Sequence, residues 1–193
     1  MKYIRRLLWF FASKMMLFSL FAALFILAFY LAMNAANVFI LLSDGMKERT
    51  HVIMTREDPD YLNEFFRKEF LDTDEQLHEA LSPEAIYTNY RISGFESHLS
   101  LEWVWSWPWE DVAKATVVYQ VPEIRGTILS SKSSLAKSGK IPSLPPPWQG
   151  GRYEVELYRV NGQWKIAQME QTQIIRVETD PTPAPTLSPT AAP

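Results

Sequence analysis

The chain has no cysteine, which excludes disulfides, thiolate catalysis and cysteine-based zinc sites. A domain built this way is held together by its core alone. Histidine is scarce: His51, His78 and His98 are the only three. No pair has the four-residue step of a zinc helix, so no metal site is expected. There is no Asn-x-Ser/Thr sequon to support a eukaryotic secretory route, and a bacterial envelope is the simpler home. The largest gap is in charge. No acidic or basic residue occurs between Lys14 and Asp44.

What fills that gap is MMLFSLFAALFILAFYLAMNAANVFILLS. A helix needs about 20 apolar residues to cross the hydrocarbon core of a bilayer, so a transmembrane helix is expected over 15–43. Lys2, Arg5, Arg6 and Lys14 precede the run, whereas Asp44, Lys47, Glu48 and Arg49 follow it in near balance. Basic residues stay on the cytoplasmic side, which predicts a single-pass signal-anchor in the cell membrane, N-terminus inside and the remainder extracytoplasmic. Tyr3 and Trp9 suit the inner headgroup zone. A cleaved signal peptide is the competing reading, but its apolar region is about 7–15 residues and ends in a small-x-small site. Met33-Asn34-Ala35 places a large residue where a small one is wanted. Asn34 and Asn37 are read as the point where the helix leaves the hydrocarbon; pairing with another helix is the alternative.

All 22 acidic residues lie beyond residue 43, with 15 of the 19 basic ones, giving the exported part a net charge of −7. Phosphate backbones repel such a surface, so nucleic acid is not expected as a partner. The end of the chain, TDPTPAPTLSPTAAP, cannot bury a core and reads as an extended tail over 179–193. The resulting layout is a basic cytoplasmic segment 1–14, the membrane helix 15–43, a juxtamembrane connector 44–58, one domain over 59–178, and the tail.

Within the domain, Asp58-Pro59-Asp60 is a helix start, with Leu62, Phe65, Phe66 and Phe70 forming an apolar stripe. Asp72-Thr73-Asp74-Glu75 opens a second short helix that carries Leu77, Ala80 and Leu81. The period then changes to two. A strand is expected over Tyr90–Glu96, with Gly94 as a bend or bulge. Another holds Leu99, Leu101, Trp103, Trp105 and Trp107 on one face, and residues 113–121 return as its partner after Pro108-Trp109-Glu110-Asp111. Tyr153, Val155, Leu157 and Arg159 alternate up to Asn161-Gly162, the strongest short hairpin signal, and Gln163–Met169 comes back, running on towards Ile175 and Val177. Between the hairpins, about 126–151, lies a Ser-, Lys- and Pro-rich stretch read as a long mobile loop.

Helices first and antiparallel strands after predict an α+β fold with the helices on one face of the sheet. This order, closed by Asn161-Gly162-Gln163-Trp164-Lys165-Ile166 within VELYRVNGQWKIAQMEQ, resembles the nuclear-transport-factor-2-like superfamily, the cone-shaped fold of ketosteroid isomerase relatives. The resemblance covers about residues 59–178, and the long Ser/Lys/Pro loop is an insertion such domains often lack. It implies helices packed on a curved sheet, but fold does not fix function. It also suggests two precedents: the extracytoplasmic subunit of type IV secretion and conjugation machines, and the non-catalytic extension before the transpeptidase of some penicillin-binding proteins.

Trp103, Trp105, Trp107 and Trp109 are the most unusual feature of the exported part. Such a stripe is expected to be the sheet face buried under the helices. The alternatives are a stacking platform for cell-wall sugars or an aromatic belt on the outer membrane surface, with Trp107 and Trp109 the more exposed pair and Trp109 in the turn. His98 shares strand parity with Glu96 and Glu102, and His98 with Glu102 is the weak candidate for a general base in a pocket, set against a solvated strand face. Enzymatic relatives use a tyrosine and acidic residues inside the cone; Tyr87, Tyr90, Tyr119, Glu102 and Asp111 are of the right types, but no spacing selects them. Ser134-Leu135-Ala136-Lys137 and Lys137-Ser138-Gly139 match penicillin-binding motifs by chance, since they overlap within one loop. Lys132, Lys137 and Lys140 read as a solvated loop. No catalytic, cofactor-binding or metal residue is assigned, and no cofactor is expected. The expected role is a membrane-tethered, non-enzymatic scaffold or accessory subunit of an envelope complex, with the lipid bilayer and an envelope protein as partners. The alternatives are a small-ligand-binding or isomerase-like enzyme using the cone, and carbohydrate binding through the tryptophan strand.

Overall fold

The computed structural model describes residues 2–175. The tail 179–193, Val177, and the side chains of Lys2, Tyr3, Arg5 and Arg6 lie outside the described residues. One helix, α1 (Lys2–Thr55), accounts for the first 54 of them. No proline interrupts it before Pro59, and Arg56 at φ 63 takes the chain out of the helix while its N–H closes the last turn on the Val52 carbonyl at 2.8 Å.

The helix runs through two surroundings. From Met15 to Phe29 no other described element covers it, and Phe18, Phe21, Phe25 and Phe29 are all exposed. From Asn34 onward one stripe at three- and four-residue spacing, Asn34, Val38, Leu42, Met46, Arg49, Thr50 and Ile53, is buried against the sheet and the short helices that follow. The expected connector 44–58 is therefore corrected: residues 44–55 are the last turns of α1 and part of the core. The apolar side chains there gain about 1.5–3 kcal/mol each by burial, which a solvated linker would forgo. Gly45 permits the close approach, since a Cβ there would sit 3.0 Å from Phe65 Cβ.

Asp58 caps the next segment by accepting from the Asp60 N–H at 3.0 Å, but Pro59–Glu64 is a 3-10 turn and the expected helix stops there. Its backbone is diverted into the sheet: Phe66 bridges Ile166 in parallel, with Arg67 N–H donating to the Ile166 carbonyl at 2.8 Å and Ile166 N–H to Phe65 at 2.9 Å. Leu62 and Phe66 are buried as their stripe implied. Two short helices follow, α2 (Lys68–Leu71) and α3 (Glu75–Leu81), the second capped by Asp74, which accepts from the Leu77 N–H at 3.2 Å.

Four strands complete the fold: β1 (Tyr90–Trp105), β2 (Val112–Ile128), β3 (Gly150–Val160) and β4 (Gln163–Ile175). They form an antiparallel meander in the order β1-β2-β3-β4. One face carries Ala113, Ala115, Val117, Tyr119 and Val121 of β2 and Tyr153, Val155 and Leu157 of β3, all buried under α1. The two strands expected before the first turn are one, with a register shift at Ile92/Gly94 where a bulge was expected. Asn161 (φ 51) and Gly162 (φ 82) make the tight turn between β3 and β4, a conformation with both residues left-handed that this pair accepts at little cost.

The stretch expected to be a loop is shorter and more tied down than its composition suggests. β2 runs to Ile128, and α4 (Ser133–Lys137) sits inside it. The Pro-rich part is strapped to the domain: Tyr90 Oη donates to the Pro142 carbonyl at 2.9 Å and Tyr87 Oη to Pro146 at 3.3 Å.

Candidate functional site

Period-two reasoning puts Leu99, Leu101, Trp103 and Trp105 on one face. The register does not. Leu99 faces Tyr119 and Leu101 faces Val117, both core residues of β2; then a shift intervenes, and Trp103 pairs with Thr116, Val104 with Ala115, and Trp105 with Lys114. One extra residue, Glu102, has been inserted in β1. A bulge of one residue exchanges the faces of everything beyond it. Leu99 and Leu101 pack against the core, Val104 takes over from them, and the tryptophans turn outward. The buried-stripe expectation is thus corrected: Trp103, Trp105, Trp107 and Trp109 are 50%, 42%, 38% and 74% exposed.

Beyond the strand the rings build on one another. Trp105 meets Trp107 edge-on at 5.0 Å between centroids, and Trp107 stacks on Trp109 at 5.0 Å with planes 16° apart. Such contacts hold a defined ridge without burying it. Of the pair expected to be the more exposed, Trp109 is the most open of the four, in the turn, and Trp107 the least.

The ridge is fixed to the helix that carries the bare apolar stretch. Tyr30 Oη donates to the Pro108 carbonyl at 3.3 Å, in the middle of the ridge, and Arg159 Nη2 donates to Tyr30 Oη at 3.3 Å. One turn further along α1, Trp164 Nε1 donates to Asn34 Oδ1 at 2.9 Å, with the Arg159 guanidinium 4.5 Å above the Trp164 ring. Asn34 is thereby satisfied within the domain, and Asn37 is exposed. Sequence reasoning missed Tyr30, Arg159 and Trp164 as members of this site; their link is a contact across 78 to 130 residues that no local pattern encodes.

The other candidates are scattered. His98 is exposed on the outer sheet face, opposite Gln120, and makes no hydrogen bond or ion pair among the described residues. Glu102 lies on the same face, paired with Arg152 across the sheet. Glu96 reaches Arg125 at 3.8 Å. The space a cone pocket would occupy, between α1 and the sheet, is filled by Leu42, Met46, Met54, Tyr119 and Tyr153. Tyr119 Oη donates to Thr50 Oγ1 at 3.0 Å, and Thr50 Oγ1 in turn donates to the Met46 carbonyl at 2.8 Å. Burial pushes the Tyr119 hydroxyl up to about 12, with its side-chain contacts to Thr50 and Ser97 acting the other way, and burial alone pushes Tyr87 up to about 12. Tyr87 and Tyr90 hold the Pro-rich strap, Asp111 is exposed in the turn, and Ser134, Lys137 and Lys140 are at the surface. These groups do not converge. A cleft of about 250 Å³ lined by Ile53, Glu79, Ile86, Tyr87 and Trp148 opens at the end of the domain remote from the ridge. Among the described residues no group of three or more metal-ligating side chains forms.

The strongest buried polar contact is structural. Arg49 of α1 grips Asp74 with two hydrogen bonds of 2.6 and 2.7 Å and donates to Gln76 Oε1 at 3.1 Å, while Asp74 caps α3. It clamps the end of α1 to the small helices. α1 itself is long and apolar enough to cross a membrane, and among the described residues nothing covers its most apolar stretch. Set against protein-family models, curated proteins and solved structures, the chain matches none of them.

Proposed function

We propose that the chain is a membrane-tethered, non-enzymatic subunit of a bacterial envelope complex. In this reading α1 crosses the cytoplasmic membrane with its N-terminus inside, and the sheet lies outside. A single observation carries it: the bare apolar half of α1 and the half that forms the core are one unbroken helix. A core helix of a soluble protein is covered along its length, and a discarded signal sequence has no need to continue into the fold. The exported layer, short helices and a four-stranded meander on a long helix, is compatible with a nuclear-transport-factor-2-like domain, and that resemblance supports a scaffold role by its two precedents.

The absence of cysteine makes the topology directly testable. Lys14→Cys and Ile174→Cys, expressed one at a time in intact cells, are exposed to a membrane-impermeant maleimide. Ile174→Cys is expected to label before lysis and Lys14→Cys only after it. Labelling of both positions in intact cells, or of neither, overturns the topology. For the scaffold role, a photo-crosslinker at Glu154 on the bare sheet face is expected to capture one discrete envelope protein. A smear of unrelated products would remove that role.

A further inference from the structure

The bare stretch of α1 has a definable outer limit. An upright helix rises about 1.5 Å per residue, so about 20 residues cross the roughly 30 Å hydrocarbon core. Counted from Lys14, the last charge before the run, the outer limit falls at Asn34. That is where burial of α1 under the sheet begins. Tyr30 lies one turn, about 6 Å, to the bilayer side of it, and Tyr30 is hydrogen-bonded to Pro108 in the middle of the tryptophan ridge. Two independent features, the length of the run and the place where the sheet meets the helix, thus set the ridge at the same depth as the outer edge of the hydrocarbon.

We propose that Trp105, Trp107 and Trp109 form a second membrane contact, inserted edge-on into the acyl–headgroup boundary of the outer leaflet beside α1. The inference rests on α1 crossing the bilayer. Three features fit this occupant. Large amphipathic rings settle at that boundary, where the ring body is dehydrated and the indole N–H stays in polar surroundings. A contiguous exposed aromatic ridge in water is unfavourable and marks a contact surface. The charge pattern limits the depth: Glu110 and Asp111 are exposed directly after Trp109, and Lys114 lies beside Trp105 in the pairing. Carboxylates are costly in hydrocarbon, so the rings enter while the chain around them stays in the headgroups. The Glu102 bulge is what aims the strand's tryptophans at lipid; without it Trp103 and Trp105 would point into the core.

Trp109→Cys, Phe25→Cys and Ile174→Cys, each in the full chain and carrying a nitroxide, are reconstituted into vesicles of phosphatidylethanolamine and phosphatidylglycerol. Collision of the label with oxygen is compared with collision with a water-soluble nickel chelate. The ratio at Trp109→Cys is expected to be several-fold above that at Ile174→Cys and below that at Phe25→Cys. Glu110→Cys supplies a second position should Trp109→Cys not fold. If Phe25→Cys is immersed and the ridge label matches Ile174→Cys, the lipid contact is overturned and the membrane span stands. If Phe25→Cys is itself aqueous, the span falls and the ridge proposal with it. A ridge label that is aqueous on vesicles but immobilised on added cell-wall glycan assigns the ridge to sugar stacking and overturns the lipid contact.

Discussion

Leu24 and Leu42 sit eighteen residues apart on the same helix, and one is 52% exposed while the other is fully buried. Their chemistry is identical and their local structure is identical. Only what covers them differs. The bare half of α1 presents apolar side chains on every side, whereas the covered half buries one apolar stripe and leaves Phe39, Ile40, Asp44, Lys47 and Glu48 off it. Hydropathy measures the aversion of a residue to water; it does not say whether lipid or protein relieves that aversion.

The two halves are separated most sharply by the Arg49–Asp74 clamp. Asp74→Ala leaves a buried guanidinium without its partner and is expected to cost about 3–5 kcal/mol, read as urea unfolding of the sheet in detergent by tryptophan fluorescence. Retention of the wild-type midpoint would show that the clamp is not closed in solution. Next in size is the matched pair itself. Leu42→Ala is expected to lose about 2–5 kcal/mol in the same assay, and Leu24→Ala to leave the unfolding of the sheet unchanged. Equal losses would show that the sheet covers both leucines. The smallest effect concerns Tyr119. Its pKa is raised from 10.0 in the unfolded chain to about 12 in the fold, so the unfolded state releases this proton first. The stability it contributes is complete below pH 10 and is lost as pH rises from 10 through about 12. Tyr119→Phe is expected to cost about 0.5–1.5 kcal/mol at neutral pH and to flatten that alkaline decline. A decline of undiminished steepness in Tyr119→Phe assigns it to Tyr87 and Tyr153, which are also raised by burial.

The sequence made part of this legible. The Asn161-Gly162 turn was readable because its geometry demands two left-handed residues, and few pairs supply them. Asp58 and Asp74 were readable because a cap is a local bond. The extent of α1 was not, yet the signal was present: the run from Met15 to Ser43 is about nine residues longer than a bilayer needs. That surplus is the first part of α1 to enter the core, which continues through Met54. The facing of the tryptophans was hidden for a different reason. A bulge adds one residue to a strand without changing its composition, and from Trp103 to Trp105 both faces of β1 carry apolar groups, so alternation gives no warning. The diversion of Phe66 to Ile166 was beyond local reading, because the competing partner lies 100 residues away.

With no break anywhere in α1, the protein has the mechanics of a key on its shaft. A rotation of the shaft in its socket turns the sheet through the same angle, and a slide by one residue lifts the sheet by about 1.5 Å. A slack tether would have absorbed both movements. This one passes them on.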